Sequence, residues 1–254
     1  MSIDICRSRK VPDINSTSIS DAWLSAVALT SSAPHGEVLN LNVTVTGLAE
    51  GGPQEDAAVR SALDQMLAES GMGCVQTVAS TIFPNSLWNP NRPKEQLFAR
   101  YMAAFPKIRK CRSNSRGTYF QRLINYPSFR APGFNQLKHV IETYLGGNHR
   151  RSALQASLIV PETDLNNAPL QGFPCMQQIA FVPMAKTSTL HVVGFYPHQY
   201  LFQRAYGNYL GLILLGRFVA HEMHLTLANM TCVSTIADLE VSAKKIEPIL
   251  SLKS

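Results

Sequence analysis

Stretches that alternate apolar and polar side chains predict the strands of this chain. Residues 37–46, with the sequence EVLNLNVTVT, alternate strictly, which is the period of a half-buried strand. Short apolar runs predict further extended segments, and a hairpin-like turn near Ala185 and Lys186 joins two of them. The segments predicted in this way are residues 37–46, 74–83, 153–160, 178–182, 189–196 and 231–240.

Apolar residues that recur every three or four positions predict five helices. The clearest covers residues 134–145, which place five apolar side chains on one face before Gly146 and Gly147 end the helix. The predicted helices are residues 21–29, 54–69, 94–104, 134–145 and 208–227.

The order of these elements predicts an α+β fold, because several consecutive strands fall in the C-terminal half between helices. The chain has 254 residues, of which 45% are hydrophobic and 16% charged, so it suits one domain with a substantial core. Residues 1–20 are polar and are predicted to form a flexible N-terminal arm. Residues 21–254 are predicted to form a single domain.

The chain carries a formal charge of +6, which favours anionic partners. Its densest basic stretch, residues 107–116, holds five cations with little aromatic content, so a nucleic-acid groove is not expected. No run approaches the roughly 18 apolar residues that span a bilayer, so we expect no membrane partner and a cytoplasmic location.

The five cysteines are widely spread and form no CxxC pair, so neither a disulfide framework nor a structural zinc site is expected. His221 and His224 lie three positions apart in the last predicted helix, close to a metal-binding spacing. No third ligand follows at a useful distance, so we interpret them as helix-face histidines and predict no metal site.

Cys175 is the candidate nucleophile, since it stands between Pro174 and an apolar strand, with Arg150 and Arg151 upstream. A thiolate stabilised by nearby cations is a strong nucleophile, and guanidinium groups bind phosphate bidentately. The alternatives stay open at this point. A cysteine before a strand is often a small buried hydrophobe, and paired arginines after a helix often interact with its dipole.

An ordered set of segments resembles the thymidylate synthase and pyrimidine hydroxymethylase family. The resemblance rests on a helix ending in paired arginines, a turn with Pro161, Asp164 and Leu165, and a proline-cysteine pair before an apolar strand. The matching segments are residues 116–123 (RGTYFQRL), 136–151 (QLKHVIETYLGGNHRR) and 173–181 (FPCMQQIAF), within a region of similarity from about 115 to 210.

The resemblance implies a large, twisted, mainly antiparallel sheet flanked by helices, in a homodimer whose sheets pair face to face. It also implies that Cys175 adds to C6 of a pyrimidine nucleotide, whose C5 then attacks a one-carbon unit from 5,10-methylenetetrahydrofolate. By position, Arg150 and Arg151 would bind the phosphate in the partner subunit, and Asn208 would hold the uracil edge. Gln178 is a further substrate-binding candidate, and Tyr119 is a possible site residue.

Several positions depart from the family pattern. The glutamine-arginine-serine triplet is replaced by Tyr196, Pro197 and His198, and Tyr200 stands where the family has its folate-binding aspartate. The folate-contacting leucine-glycine stretch becomes residues 203–205. The positions of the ribose-binding histidine and tyrosine hold Ile236 and Asp238. We therefore consider His198 and Arg204 as substitutes for the missing positive charge near the cysteine, with Tyr200 as a further candidate site residue.

Three functions remain open. The first is one-carbon transfer, as a methylation or hydroxymethylation, to C5 of a pyrimidine nucleotide or related heterocycle through Cys175. The second is a nucleotide-binding or regulatory protein that has kept the scaffold and lost the chemistry. The third is a folate-independent enzyme in which Cys175 attacks a heterocycle. The folate and phosphate contacts missing from the family pattern are worth roughly 1.5–3 kcal/mol each as charged hydrogen bonds. Their loss weighs against the first function unless other residues compensate.

Overall fold

A computed structural model describes residues 11–51, 54–127, 132–167 and 173–252, and within these ranges it contains nine α-helices and eight strands. The helices are α1 (Ile19–Ser31), α2 (Ala57–Glu69), α3 (Val75–Ile82), α4 (Lys94–Ile108), α5 (Tyr119–Ile124), α6 (Gln136–Leu145), α7 (Pro161–Asp164), α8 (Tyr206–Glu222) and α9 (Ala243–Leu250). The strands are β1 (Asp13–Ser16), β2 (Glu37–Val45), β3 (Tyr126–Pro127), β4 (Pro132–Phe134), β5 (Gln155–Ser157), β6 (Gln178–Met184), β7 (Thr189–Tyr200) and β8 (Thr226–Asp238).

Six strands form one mixed sheet in the order β1-β2-β8-β7-β6-β5. The pairs β2–β8, β7–β6 and β6–β5 are antiparallel, whereas β1–β2 and β7–β8 are parallel. The predicted α+β class and the large sheet flanked by helices are confirmed. The sheet is mixed because α8 carries the chain back across it, and such a crossover makes β7 and β8 parallel.

The core lies between one face of this sheet and the helices α1, α3 and α8. Alternate residues of β7, such as Leu190, Val192 and Tyr196, are fully buried against the helices. The intervening residues of the same strand are half-buried, which is the pattern of a sheet with one covered face. Helix α8 is buried along most of its length and forms the centre of the core.

Helix α3 corrects the prediction of an extended segment at residues 74–83. Val75, Val78, Ala79 and Ile82 are buried together, at the spacing of one helix face. The β-branched content of the segment favoured a strand, and tertiary packing overrides that preference. The first turn is also stabilised from outside the segment, since the Val75 N–H donates to Asp64 Oδ1 in α2 at 2.7 Å.

The N-terminal arm was predicted too long. Residues 1–10 lie outside the described residues, but Asp13–Ser16 pair with β2 and helix α1 begins at Ile19, so residues 13–20 belong to the domain. The Ser18 side chain accepts a hydrogen bond from the Asp21 N–H and begins that helix.

Two boundaries in the C-terminal half also differ from the prediction. Helix α8 ends at Glu222 rather than residue 227, because the chain turns at His224, with a positive φ of 57°, into β8. The strand predicted at residues 153–160 is only Gln155–Ser157. None of the helices in the described ranges has the length and apolar content needed to cross a membrane.

Close packing of α8 on α3 depends on Gly207. A Cβ added there would lie 2.5 Å from Val78 Cβ and 2.8 Å from the Val75 carbonyl oxygen, atoms that cannot move away cheaply. We expect Gly207→Ala to lower the free energy of unfolding by about 2 kcal/mol, because overpacking outweighs the gain in helix propensity. Urea unfolding followed by circular dichroism measures the change.

Gly73→Ala is the matched control, since its added Cβ would only make an ordinary contact, 3.4 Å from Thr77 Cγ2. We expect this variant to stay within about 0.5 kcal/mol of the wild type. Equal stability of the two variants would contradict the close contact between the helices.

Candidate functional site

A pocket of about 410 Å³ opens between α3, α5, the end of β7 and the start of α8. Six of the nine site residues predicted from the sequence line it, and they come from three separate segments of the chain. They are Tyr119, Cys175, His198, Tyr200, Arg204 and Asn208.

Tyr119 holds the backbone on which Cys175 sits. It is buried at the first position of α5, whose Thr118 N-cap accepts a hydrogen bond from the Gln121 N–H. The Tyr119 hydroxyl oxygen accepts hydrogen bonds from the backbone N–H groups of Cys175, at 3.2 Å, and Met176, at 3.3 Å. The position of the cysteine in the pocket is therefore fixed by a side chain far away in sequence.

The pKa of the Cys175 thiol is raised above its ordinary value. Burial is the largest cause, and it outweighs the Arg204 guanidinium and a hydrogen bond from Tyr119, both of which lower the pKa. A cation beside the sulfur was predicted, and Arg204 provides it. In the single chain this cation does not offset desolvation, which disfavours the thiolate more strongly.

A buried ion pair stabilises the segments around the pocket. Arg122 is only 6% exposed, and its guanidinium donates hydrogen bonds to the Asp164 carboxylate and, at 2.6 Å, to the Leu158 carbonyl oxygen. The same guanidinium lies 4.7 Å from the ring centroid of Phe173, two residues before Cys175. The pair thus connects α5, α7 and the segment that carries the cysteine.

Arg204 reaches the pocket from a π-helical turn at Leu201–Ala205, directly before α8. The Glu240 carboxylate accepts hydrogen bonds from the backbone N–H groups of Phe202, at 3.2 Å, and Gln203, at 2.7 Å. Burial raises the pKa of Glu240, and these hydrogen bonds oppose that shift. This contact fixes the turn and places Gln203 and Arg204 at the pocket.

His198 lines the pocket from the end of β7, where it contacts Asp238 and Tyr200. Its Nε2 is 3.2 Å from Asp238 Oδ2, and its ring centroid is 4.9 Å from that of Tyr200. Arg204, and not His198, is the cation that lowers the pKa of Cys175. Of His198 and Arg204, the two candidates for the missing positive charge, the electrostatics at the Cys175 sulfur favour Arg204.

Asn208 is nearly buried, at 4% exposure, in the first turn of α8, and it lines the pocket. Its amide offers both a donor and an acceptor to a ligand. Gln199 also lines the pocket, but its amide is engaged inside the protein, accepting from Ser234 Oγ at 2.8 Å and donating to Cys232 Sγ at 3.3 Å.

Arg150, Arg151 and Gln178 do not line this pocket. The two arginines are exposed, at the short helical turn before β5. Gln178 is exposed on the opposite side of the sheet, where its amide donates to Gln155 Oε1. The two arginines were predicted to act in the pocket of a partner subunit, and that role stays a prediction. Gln178, predicted to bind the substrate, lies away from the pocket.

Sequence reasoning missed Tyr196, Gln203 and one wall of the pocket, formed by Thr77, Val78 and Thr81 of α3. The α3 wall could have been found from the helical spacing of residues 75, 78, 79 and 82. Tyr196 could not, since it was noted only as a departure from the family pattern.

Within the described ranges, no three His, Cys, Asp or Glu side chains come together as metal ligands would, and Cys74, Cys111, Cys175 and Cys232 are free thiols. Compared with known proteins, the chain matches no protein-family model and no curated relative.

Arg204→Ala is expected to raise the pKa of Cys175 further, because it removes the cation that favours the thiolate. The pH dependence of iodoacetamide alkylation at Cys175 measures this, with Cys6, Cys74 and Cys111 replaced by serine. The midpoint should move to higher pH. His198→Ala is the control and should leave the midpoint in place; an unchanged midpoint for Arg204→Ala would contradict the assignment.

Proposed function

We propose that this protein is an enzyme whose Cys175 thiolate adds to C6 of a pyrimidine nucleotide or a related anionic heterocycle, as the first step of one-carbon transfer to C5. The observation that carries the proposal is one pocket that combines Cys175, Asn208 and Arg204. These three groups are a nucleophile, an amide that pairs with a heterocycle edge, and a cation for an anionic substituent.

The buried setting of the cysteine supports addition to a ring bound in the pocket. A thiol whose pKa is raised reacts slowly with solutes that do not stay bound. A bound substrate displaces water, and its ring then lies against a sulfur already positioned by Tyr119. The chemistry therefore depends on binding, as expected of a site selective for one class of substrate.

The resemblance implies 5,10-methylenetetrahydrofolate as the one-carbon donor, and the side chains at the pocket do not fit it. Tyr200 replaces the acidic residue, and the turn at Leu201–Ala205 replaces the leucine-glycine stretch. Trp88, the counterpart that the resemblance offers for a tryptophan of the folate pocket, packs edge-on against Phe83 and Phe218. The ring centroids are 5.9 and 5.8 Å apart, in a cluster away from the pocket. The residues of the pocket supply the addition of Cys175, and the one-carbon transfer to C5 is what the resemblance implies.

A homodimer is part of the proposal, and the second face of the sheet supports it. Val182, Val193, Phe195 and Val233 lie beside one another on this face and are only half-buried. A second copy packed on this face would bury these side chains, which favours association. Arg150 and Arg151 precede the edge strand β5, and we propose that they reach the pocket of the partner subunit.

A binding protein without turnover is the second candidate, and one observation favours it. The pKa of Cys175 is raised, so the single chain holds the sulfur mainly as the thiol. On the first proposal, arginines from the partner subunit supply the additional positive charge that ionisation needs. On the second, the thiol stays protonated, and Cys175→Ser leaves ligand binding unchanged.

Intact-mass spectrometry with 5-fluoro-2′-deoxyuridine monophosphate tests the first proposal. We expect a covalent adduct with and without added methylenetetrahydrofolate, and none in Cys175→Ser, which removes the nucleophile. Cys111→Ser is the control and should leave the adduct unchanged. Binding of the nucleotide without any adduct would support the second candidate instead.

Mixing two inactive variants tests the shared site. Cys175→Ser and the double variant Arg150→Ala/Arg151→Ala should each fail to form the adduct. Refolded together, they should recover roughly a quarter of the wild-type sites, because about half of randomly paired dimers are mixed and each has one intact site. Arg109→Ala/Arg112→Ala, another exposed pair, should behave as wild type, and a monomer in sedimentation would refute the dimer.

A further inference from the structure

Tyr196 presents an unused hydrogen-bonding group next to the nucleophile. It is 0% exposed and lines the pocket that contains Cys175. Within the described residues, its hydroxyl has no hydrogen-bond partner. Buried hydroxyl groups are normally paired, and an orphan costs stability, so this one needs an explanation.

Tyr196 lines the same pocket as Cys175 and lies within electrostatic range of its sulfur. Burial raises its pKa well above the ordinary value, and Cys232, Tyr119 and Cys175 add to the shift, so all three lie within electrostatic range. A phenol with so high a pKa keeps its proton at neutral pH. It is therefore available as a donor and not as a base.

Alternative partners inside the protein are already occupied. The Tyr119 hydroxyl binds the N–H groups of Cys175 and Met176, and the Gln199 carbonyl accepts from Ser234. The donor of Tyr196 is thus left for something that enters the pocket. Asn208 is a further nearly buried polar side chain that lines the pocket and can bind a ligand.

We propose that Tyr196 donates a hydrogen bond to a carbonyl oxygen of the substrate, the oxygen that becomes negatively charged when Cys175 adds. This deepens the proposed function, on which it rests, by defining the substrate as a ring with a carbonyl conjugated to the carbon that is attacked. Tyr196 is then a substrate-contacting residue that stabilises the developing charge.

Atoms and electrons balance in this addition step. Cys175 loses its proton to solvent, and the thiolate pair forms the S–C bond at the β-carbon of the conjugated system. The C=C π pair moves toward the carbonyl, whose oxygen takes up the charge and accepts the Tyr196 O–H. No group leaves, and elimination of the thiolate reverses the step.

Two small reagents distinguish stabilisation of the charged oxygen by Tyr196 from a general change in the reactivity of the Cys175 thiol. N-ethylmaleimide reacts by conjugate addition, so its oxygen becomes negatively charged, whereas iodoacetamide reacts by displacement of iodide. Both require the Cys175 thiolate, so a change in the thiol alone affects the two rates equally. The rates are measured at Cys175 with Cys6, Cys74 and Cys111 replaced by serine.

We expect Tyr196→Phe to slow the maleimide reaction about tenfold or more relative to the iodoacetamide reaction, the effect of losing a hydrogen bond to a charged oxygen. Tyr209→Phe is the matched control. Tyr209 is also fully buried, and its hydroxyl also has no partner in the described residues, but it does not line the pocket. Both variants should fold with melting temperatures at or above that of the wild type, since each removes an unpaired hydroxyl.

Equal slowing of both reagents in Tyr196→Phe, slowing of neither, or the same pattern in Tyr209→Phe would overturn the inference. The fluoropyrimidine adduct distinguishes this result from the proposed function. A wild-type protein that forms no adduct, yet shows the maleimide difference, would refute the nucleotide substrate and leave the role of Tyr196 standing. An adduct that forms at the same rate in Tyr196→Phe would refute the role of Tyr196 alone.

Discussion

The contact between α3 and α8 is the constraint on which the candidate site depends. Gly207 and Gly211 let the two helices approach so closely that an added Cβ would lie 3.0 Å or less from the α3 backbone. This distance lets α3 present Thr77, Val78 and Thr81 to the pocket while Asn208, next to Gly207, lines it from α8. Two segments more than a hundred residues apart thereby form one binding surface, and a side chain larger than hydrogen would separate them.

Burial gives the site its rigidity and also limits its reactivity. The Arg122–Asp164 pair and the Glu240 carboxylate fix the segments that carry Cys175 and Arg204. The same desolvation that makes these contacts strong raises the pKa of the thiol. Additional positive charge, delivered by a second subunit, would therefore change the reactivity of Cys175 more than any further rigidity of the chain.

The sequence pattern predicted most helices and the central strands because burial of one face imposes a regular period, as in β2 and α6. It failed at α3, where β-branched residues favour a strand and the deciding contacts come from Asp64 and Gly207. The resemblance pointed to six residues that line the pocket. It could not reveal that burial outweighs Arg204 at the sulfur, because desolvation depends on packing from every side.

Four of the positions that depart from the resembled family line the pocket. Tyr196, His198 and Tyr200 come from the end of β7, and Arg204 follows in the π-helical turn. Cys175, Tyr119 and Asn208, at the positions that the resemblance implies, line the same pocket. Different side chains at these positions, with Cys175 kept, alter which ligand binds more than they alter the attack by the cysteine. Tyr200 offers a neutral phenol where the family has a carboxylate, and Tyr196 a phenol where it has an amide. This favours a substrate recognised through carbonyl oxygens near the sulfur and through its anionic group at Arg204.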